Sequence, residues 1–137
     1  LAREAVAAGN TPFGSVLVID DKVVKRSKNT TRTDDDITAH PELKLARWAA
    51  SELDADERSA CTMYTSTEPC EMCATVINRA GLYRVVYSVS GESLANLRGD
   101  QNTGITCKEI IERNGGSTLV DGPLLESEGL AVHEDFY

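Results

Sequence analysis

A three-layer α/β/α domain, with a mixed five-stranded sheet and helices on both faces, is the fold class the sequence predicts. Three observations carry that expectation. Residues 15–28 read as two strands around Asp20-Asp21, which is a hairpin. After the hairpin, strand-like runs alternate with stretches of helical period, as crossover connections require. No linker, repeat or low-complexity segment divides the 137 residues, so residues 1–137 are read as one domain.

Taken in order, residues 1–8 are Ala-rich and stop at Gly9-Asn10, the tail of a helix. Thr11-Pro12-Phe13-Gly14 is a turn. The apolar, β-branched run 15–19 is a buried strand, and 22–28 is a second strand around Val23 and Val24. Residues 29–38, with Asp34-Asp35-Asp36, form a polar loop leading to His40. Beyond it Leu43, Ala46, Arg47, Ala50 and Leu53 recur at helical spacing, and Pro41 suits a first turn, where no N–H bond is lost. Trp48 is a packing residue of that helix. Residues 54–58 read as a polar connection, 61–66 as a third strand, and 70–79 as a helix stopped by Gly81. Residues 84–87 are a fourth strand, and 93–102 are part helix and part loop. Thr106, with Glu109 three residues on, caps a helix over 106–113. Gly115-Gly116 breaks it, 117–120 is a fifth strand, and a last helix runs from Pro123.

The net charge of −8 disfavours a duplex or tRNA backbone as the main partner, because such binding rests on Lys and Arg neutralising phosphates. Lys22, Lys25, Arg26 and Lys28 are the one dense basic group and read as a solvated hairpin face. No apolar run approaches the length of a membrane span. The front carries no signal-peptide pattern, and it starts at Leu1 inside a helix, which predicts a trimmed N-terminus. The four cysteines, 61, 70, 73 and 107, do not read as a disulfide framework and fit a reducing cytoplasm.

Cys70 and Cys73 stand at metal-binding or redox spacing, and His40 lies thirty positions upstream. Together they make three zinc ligands, with the fourth position left for water, as in catalytic sites. Placed in the first turn of a helix, both cysteines are favoured as thiolates. Glu42, two residues beyond His40, falls beside such an ion rather than on it, where a carboxylate shuttles protons. That chemistry suits hydrolytic removal of an amino group from an amidine-like carbon. A structural zinc or a redox dithiol is the competing reading of the cysteine pair. Cys61 and Cys107 are expected in the core, and His133 at the surface or in a lid.

His40-Pro41-Glu42 followed by Pro69-Cys70-Glu71-Met72-Cys73 resembles the H-x-E and P-C-x-x-C signature of zinc deaminases. The chain resembles the cytidine deaminase-like superfamily from end to end, and most of all its bacterial guanine deaminase group. The resemblance implies zinc on His40, Cys70 and Cys73 and Glu42 as general acid and base. Asn29, 11 residues before His40, matches an Asn that hydrogen-bonds the base. Phe13, in Thr11-Pro12-Phe13-Gly14-Ser15-Val16, matches a Phe that packs on the purine, and Thr65-Ser66-Thr67-Glu68-Pro69-Cys70 matches T-S-x-E-P-C. Tyr137 matches a C-terminal Tyr that closes over the base on a segment swapped between the subunits of a homodimer. Two departures stand out: Pro41 replaces the usual Ala, and residues 93–106 do not clearly supply the Asp that reads guanine's N1/N2 edge, for which Asp100 and Asn102 are candidates. The implied function is deamination of a free nucleobase, first guanine to xanthine and ammonia. Isocytosine, cytosine or an aminotriazine, adenosine in tRNA, and a non-catalytic zinc-binding domain are the alternatives.

Overall fold

Asp20 and Asp21 both take left-handed backbone angles, φ 50° and 61°, the mirror-image turn whose twist matches a two-residue hairpin. In the computed structural model, which describes residues 1–137, they join β1 (Gly14–Ile19) to β2 (Lys22–Lys28). The sheet is completed by β3 (Thr62–Thr67), β4 (Arg84–Val89) and β5 (Leu119–Asp121) in the order β2-β1-β3-β4-β5. The β1 strand pairs antiparallel with both β2 and β3, while β3, β4 and β5 run parallel. Strand β2 is one edge, β5 being the other, and the β2 cations face water, which protects an open row of backbone groups from pairing.

One row crosses the sheet in register, Leu17 beside Met63, Met63 beside Val85 and Val85 beside Val120. Against it pack Leu45, Ala46 and Ala49 of α2 (Pro41–Glu52), Ala74, Ile77 and Ala80 of α4 (Glu71–Ala80), and Cys107 and Ile111 of α6 (Cys107–Arg113). Each large side chain buried here contributes about 1.5–3 kcal/mol through removal of apolar surface from water. The small residues of α2 and α4 let these helices close on each other and on the sheet. The other face carries α1 (Ala2–Ala7), α5 (Gly91–Arg98) and α7 (Glu126–Glu134). Helix α7 approaches β4 closely at Gly129, where a Cβ would lie 2.5 Å from Ser88 Oγ.

The expected elements are present, with local differences. The supposed connection after α2 is a short helix, α3 (Ala55–Ser59), which reciprocal bonds between Asp54 and Glu57 nucleate. The ambiguous stretch resolves into α5, whose first turn is satisfied by the Ser90 side chain. Strand β5 is displaced toward Asp121, which pairs with Arg84 at 2.6 Å. Helix α7 starts at Glu126 rather than Pro123 because Leu125 is left-handed, φ 53°. Its His133, expected at the surface or in a lid, is instead 1% exposed.

Candidate active site

The parallel strands β3 and β4 end at one edge of the sheet, and helices begin there, which is where open α/β sheets form clefts. His40 stands at the N-cap of α2 and Cys70 at the N-cap of α4, with Cys73 one turn on. Both caps are extended and then turn into helix, so the three side chains converge. His40 Nδ1 lies 3.7 Å from Cys70 Sγ and 3.6 Å from Cys73 Sγ, and all three donor atoms fall within 4.8 Å of one another. Tetrahedral zinc, at ordinary Zn–N and Zn–S lengths, requires a nitrogen–sulfur separation of about 3.6 Å. The donor set and its spacing fit that ion. Cys73 is held by its hydrogen bond to Cys70 and by burial well above the usual thiol range, while the same bond pulls Cys70 down to about 4. A divalent cation favours both as thiolates.

Glu42 is 4% exposed and borders a cavity of about 1010 Å³ that His40 and Cys70 also line. Thr65 donates its hydroxyl to Glu42 Oε1 at 3.0 Å, and Ser15 donates to Thr65 at 2.8 Å. Burial raises the Glu42 carboxyl above the ordinary carboxylate range. Sequence reading missed Ser15 and Thr65 as partners of Glu42. They meet because β1 and β3 pair with Ser15 opposite Thr65, and no local spacing signals that.

Asn29, 3% exposed, lines the cavity beside the metal ligands. Its Oδ1 accepts the backbone N–H of Thr31 at 3.0 Å and the Thr31 hydroxyl at 2.9 Å. A backbone N–H only donates, so the amide orientation is fixed and the Nδ2 donors face away from Thr31. Lys44, one turn beyond His40, donates to Lys28 O at 2.7 Å and Thr30 Oγ1 at 2.9 Å, tying α2 to the residues on either side of Asn29.

Phe13 is half-buried and lines the cavity, its ring 5.3 Å from that of His133. His133 Nε2 lies 2.9 Å from Thr67 Oγ1, so α7 is latched to the end of β3. Tyr137 stands outside the cavity wall; its ring is 4.7 Å from the Arg98 guanidinium and its hydroxyl is bonded to that group. Arg98 does line the cavity. Asp100 and Asn102 both border it, but Asn102 Oδ1 accepts the Gly104 N–H at 2.8 Å. Cys61 and Cys107 are fully buried, and burial pushes their thiols up to about 11 and about 12.

Residues 1–89 match the cytidine and deoxycytidylate deaminase zinc-binding region. The tRNA-specific adenosine deaminase of Agrobacterium fabrum is 40% identical over 63% of this chain and 57% of its own length. A probable cytosine deaminase of Schizosaccharomyces pombe is 30% identical over 100% of this chain and 86% of its own. The guanine deaminase of Bacillus subtilis is 40% identical over 64% of this chain, which spans 57% of that protein. Among solved structures, the guanine deaminase of Nitrosomonas europaea superposes with a TM-score of 0.76 at 20% identity, over 98% of this chain and 78% of that one, a likeness of fold.

Proposed function

This chain belongs to the cytidine and deoxycytidylate deaminase family, zinc-binding enzymes that hydrolyse C–N bonds, and from that premise we propose that it deaminates a free heterocyclic base, guanine first. The observation that carries the small-molecule reading is the charge of the cavity. Glu42, Glu68, Glu71, Glu92, Asp100 and Glu126 line it, against Arg98 as the one Lys or Arg. A neutral ring tolerates such a wall, while a phosphodiester strand is repelled by it.

His40 through Nδ1, with Cys70 and Cys73 through sulfur, would hold the zinc. Zinc, when bound there, would acidify a water that becomes the nucleophile. Glu42 takes a proton from the attacking water at the oxygen not held by Thr65. It delivers that proton to a ring nitrogen, then takes the second proton from the hydroxyl added to the ring carbon and gives it to the leaving amine, so that water and the amino-bearing ring become the oxo product and ammonia. Asn29 donates through Nδ2 to a ring acceptor, and Phe13 covers a ring face. Asp100, which borders the cavity, accepts from a ring N–H.

A second reading, adenosine within tRNA, is supported by the cavity volume of about 1010 Å³, which exceeds what one base fills, and by the Agrobacterium relative. Ammonia release from guanine, cytosine, isocytosine, an aminotriazine and a tRNA anticodon stem-loop separates the readings. Turnover of guanine ahead of the other bases is expected, and turnover of the stem-loop alone would sink the free-base reading. The homodimer belongs to the same proposal, and size-exclusion with light scattering tests it.

A further inference from the structure

Two carboxylates on the metal-bearing turn bond backbone N–H groups at the starts of α5 and α6 and in the loop between them. Glu68 accepts the Gly91 N–H through Oε1 and the Cys107 N–H through Oε2, both at 2.9 Å. These are first-turn groups of α5 and α6, whose N–H donors have no partner within their own helices. Glu71 accepts the Ile105 N–H at 2.8 Å. Gly104, φ 75°, sits so close that a Cβ there would lie 2.6 Å from Glu71 Oε1. Both carboxylates flank Pro69-Cys70, so the segment that carries a metal ligand also holds the start of α5 and the C-terminal end of the loop between α5 and α6. Asp100, Asn102 and Ile105 of that loop line the cavity.

We propose that Glu68 and Glu71 are positioning residues that set the distance between the metal centre and the loop over residues 99–106, and so determine which heterocycle is accepted. This rests on the free-base reading above for its substrate class. The physical argument is geometric. A ring held between a fixed ion and a fixed wall is selected by the span between them. Here three charge-assisted bonds fix that span, each stronger than a neutral one. Glu68→Gln leaves one acceptor oxygen and turns an NH₂ toward a backbone N–H, which loosens the start of α5 or of α6, the two helices that bound the loop. Gly104→Ala pushes the loop off Glu71 while leaving both carboxylates in place.

Two measurements on the zinc-loaded protein test this. Amide hydrogen exchange across residues 99–107 is expected to quicken about tenfold or more in Glu68→Gln, Glu71→Gln and Gly104→Ala, with zinc content unchanged. Unchanged exchange in all three overturns the clamp whatever the substrate is. Across a panel of bases, the ratio of kcat/KM between the preferred and the next base is expected to fall about tenfold, chiefly through KM. An equal proportional loss for every base overturns the specificity role. Absence of turnover of any free base by the unsubstituted protein would count against the free-base reading and the specificity role built on it, and the exchange measurement would then decide the clamp alone.

Discussion

Thr65 holds Glu42 by a single oxygen, donating to Oε1 at 3.0 Å from the neighbouring strand while Ser15 donates to Thr65 from the next. The other oxygen, Oε2, lies 3.8 Å from Cys73 Sγ, so a carboxylate that is 4% exposed has one oxygen on the strand and the other at the candidate metal donors, which suits a proton carrier.

Glu42→Ala is therefore expected to keep the fold and the zinc and to lower kcat by about 10²–10⁴-fold. Thr65→Val removes the anchor and not the carboxylate, so a smaller loss, about tenfold, is expected. Steady-state kinetics beside metal analysis checks both. A Glu42→Ala protein with full turnover would return the ion to a structural role.

Asn29→Ala is expected to raise KM about tenfold or more with zinc content unchanged, because only the Nδ2 donors are offered to a ligand. Asn29→Asp keeps the bonds from Thr31 and loses the donors, so it should bind substrate as weakly as the Ala variant. Tight binding by Asn29→Asp would show that the amide contributes only to the turn.

Removal of zinc by a chelator is expected to abolish turnover and lower Tm, with both restored by zinc. At free zinc a hundredfold above its dissociation constant, the ion contributes about 2.7 kcal/mol to the folded state. His40→Ala should abolish the Tm response to zinc, and a calorimetric scan with and without the ion reads it directly.

Stability is expected to fall on acidification through His133. Burial and the Arg98 charge depress its folded value to about 4, below the ordinary 6.5. The unfolded chain then binds the proton first, so the contribution is whole above pH 6.5 and is lost as pH falls toward 4. After allowance for solvent around Arg98 the loss is on the order of 2 kcal/mol. His133→Gln should flatten urea midpoints across this window; an unchanged slope would assign the acid sensitivity to other groups.

Deletion of residues 135–137 is expected to raise KM or lower kcat, because Tyr137 grips Arg98 and Arg98 lines the cavity. Identical kinetics before and after the deletion would remove the tail from the site.

Much of the site was legible because its chemistry is written in short spacings. His40 and Glu42 two apart, and Cys70 and Cys73 one helical turn apart, fix their own mutual geometry once each helix forms. Helix α3 was not read because its capping pair, Asp54 and Glu57, lies in a stretch with no buried side chain, so hydrophobic period was silent there. His133 was misread because one polar residue in a weakly amphipathic helix gives no sign of which face is buried. Its burial depends on Thr67, 66 positions away.

By itself, then, the sequence determined the α/β order and singled out the candidate metal donors and the carboxylate beside them, since all follow from local pattern and from residue chemistry at fixed spacing. Only the tertiary structure decided which oxygen of Glu42 Thr65 engages, and that Glu68 and Glu71 bond the starts of α5 and α6 and the loop between them. Those depend on strand register and on loops meeting across 23 to 50 positions of chain, distances over which sequence spacing carries no geometric information.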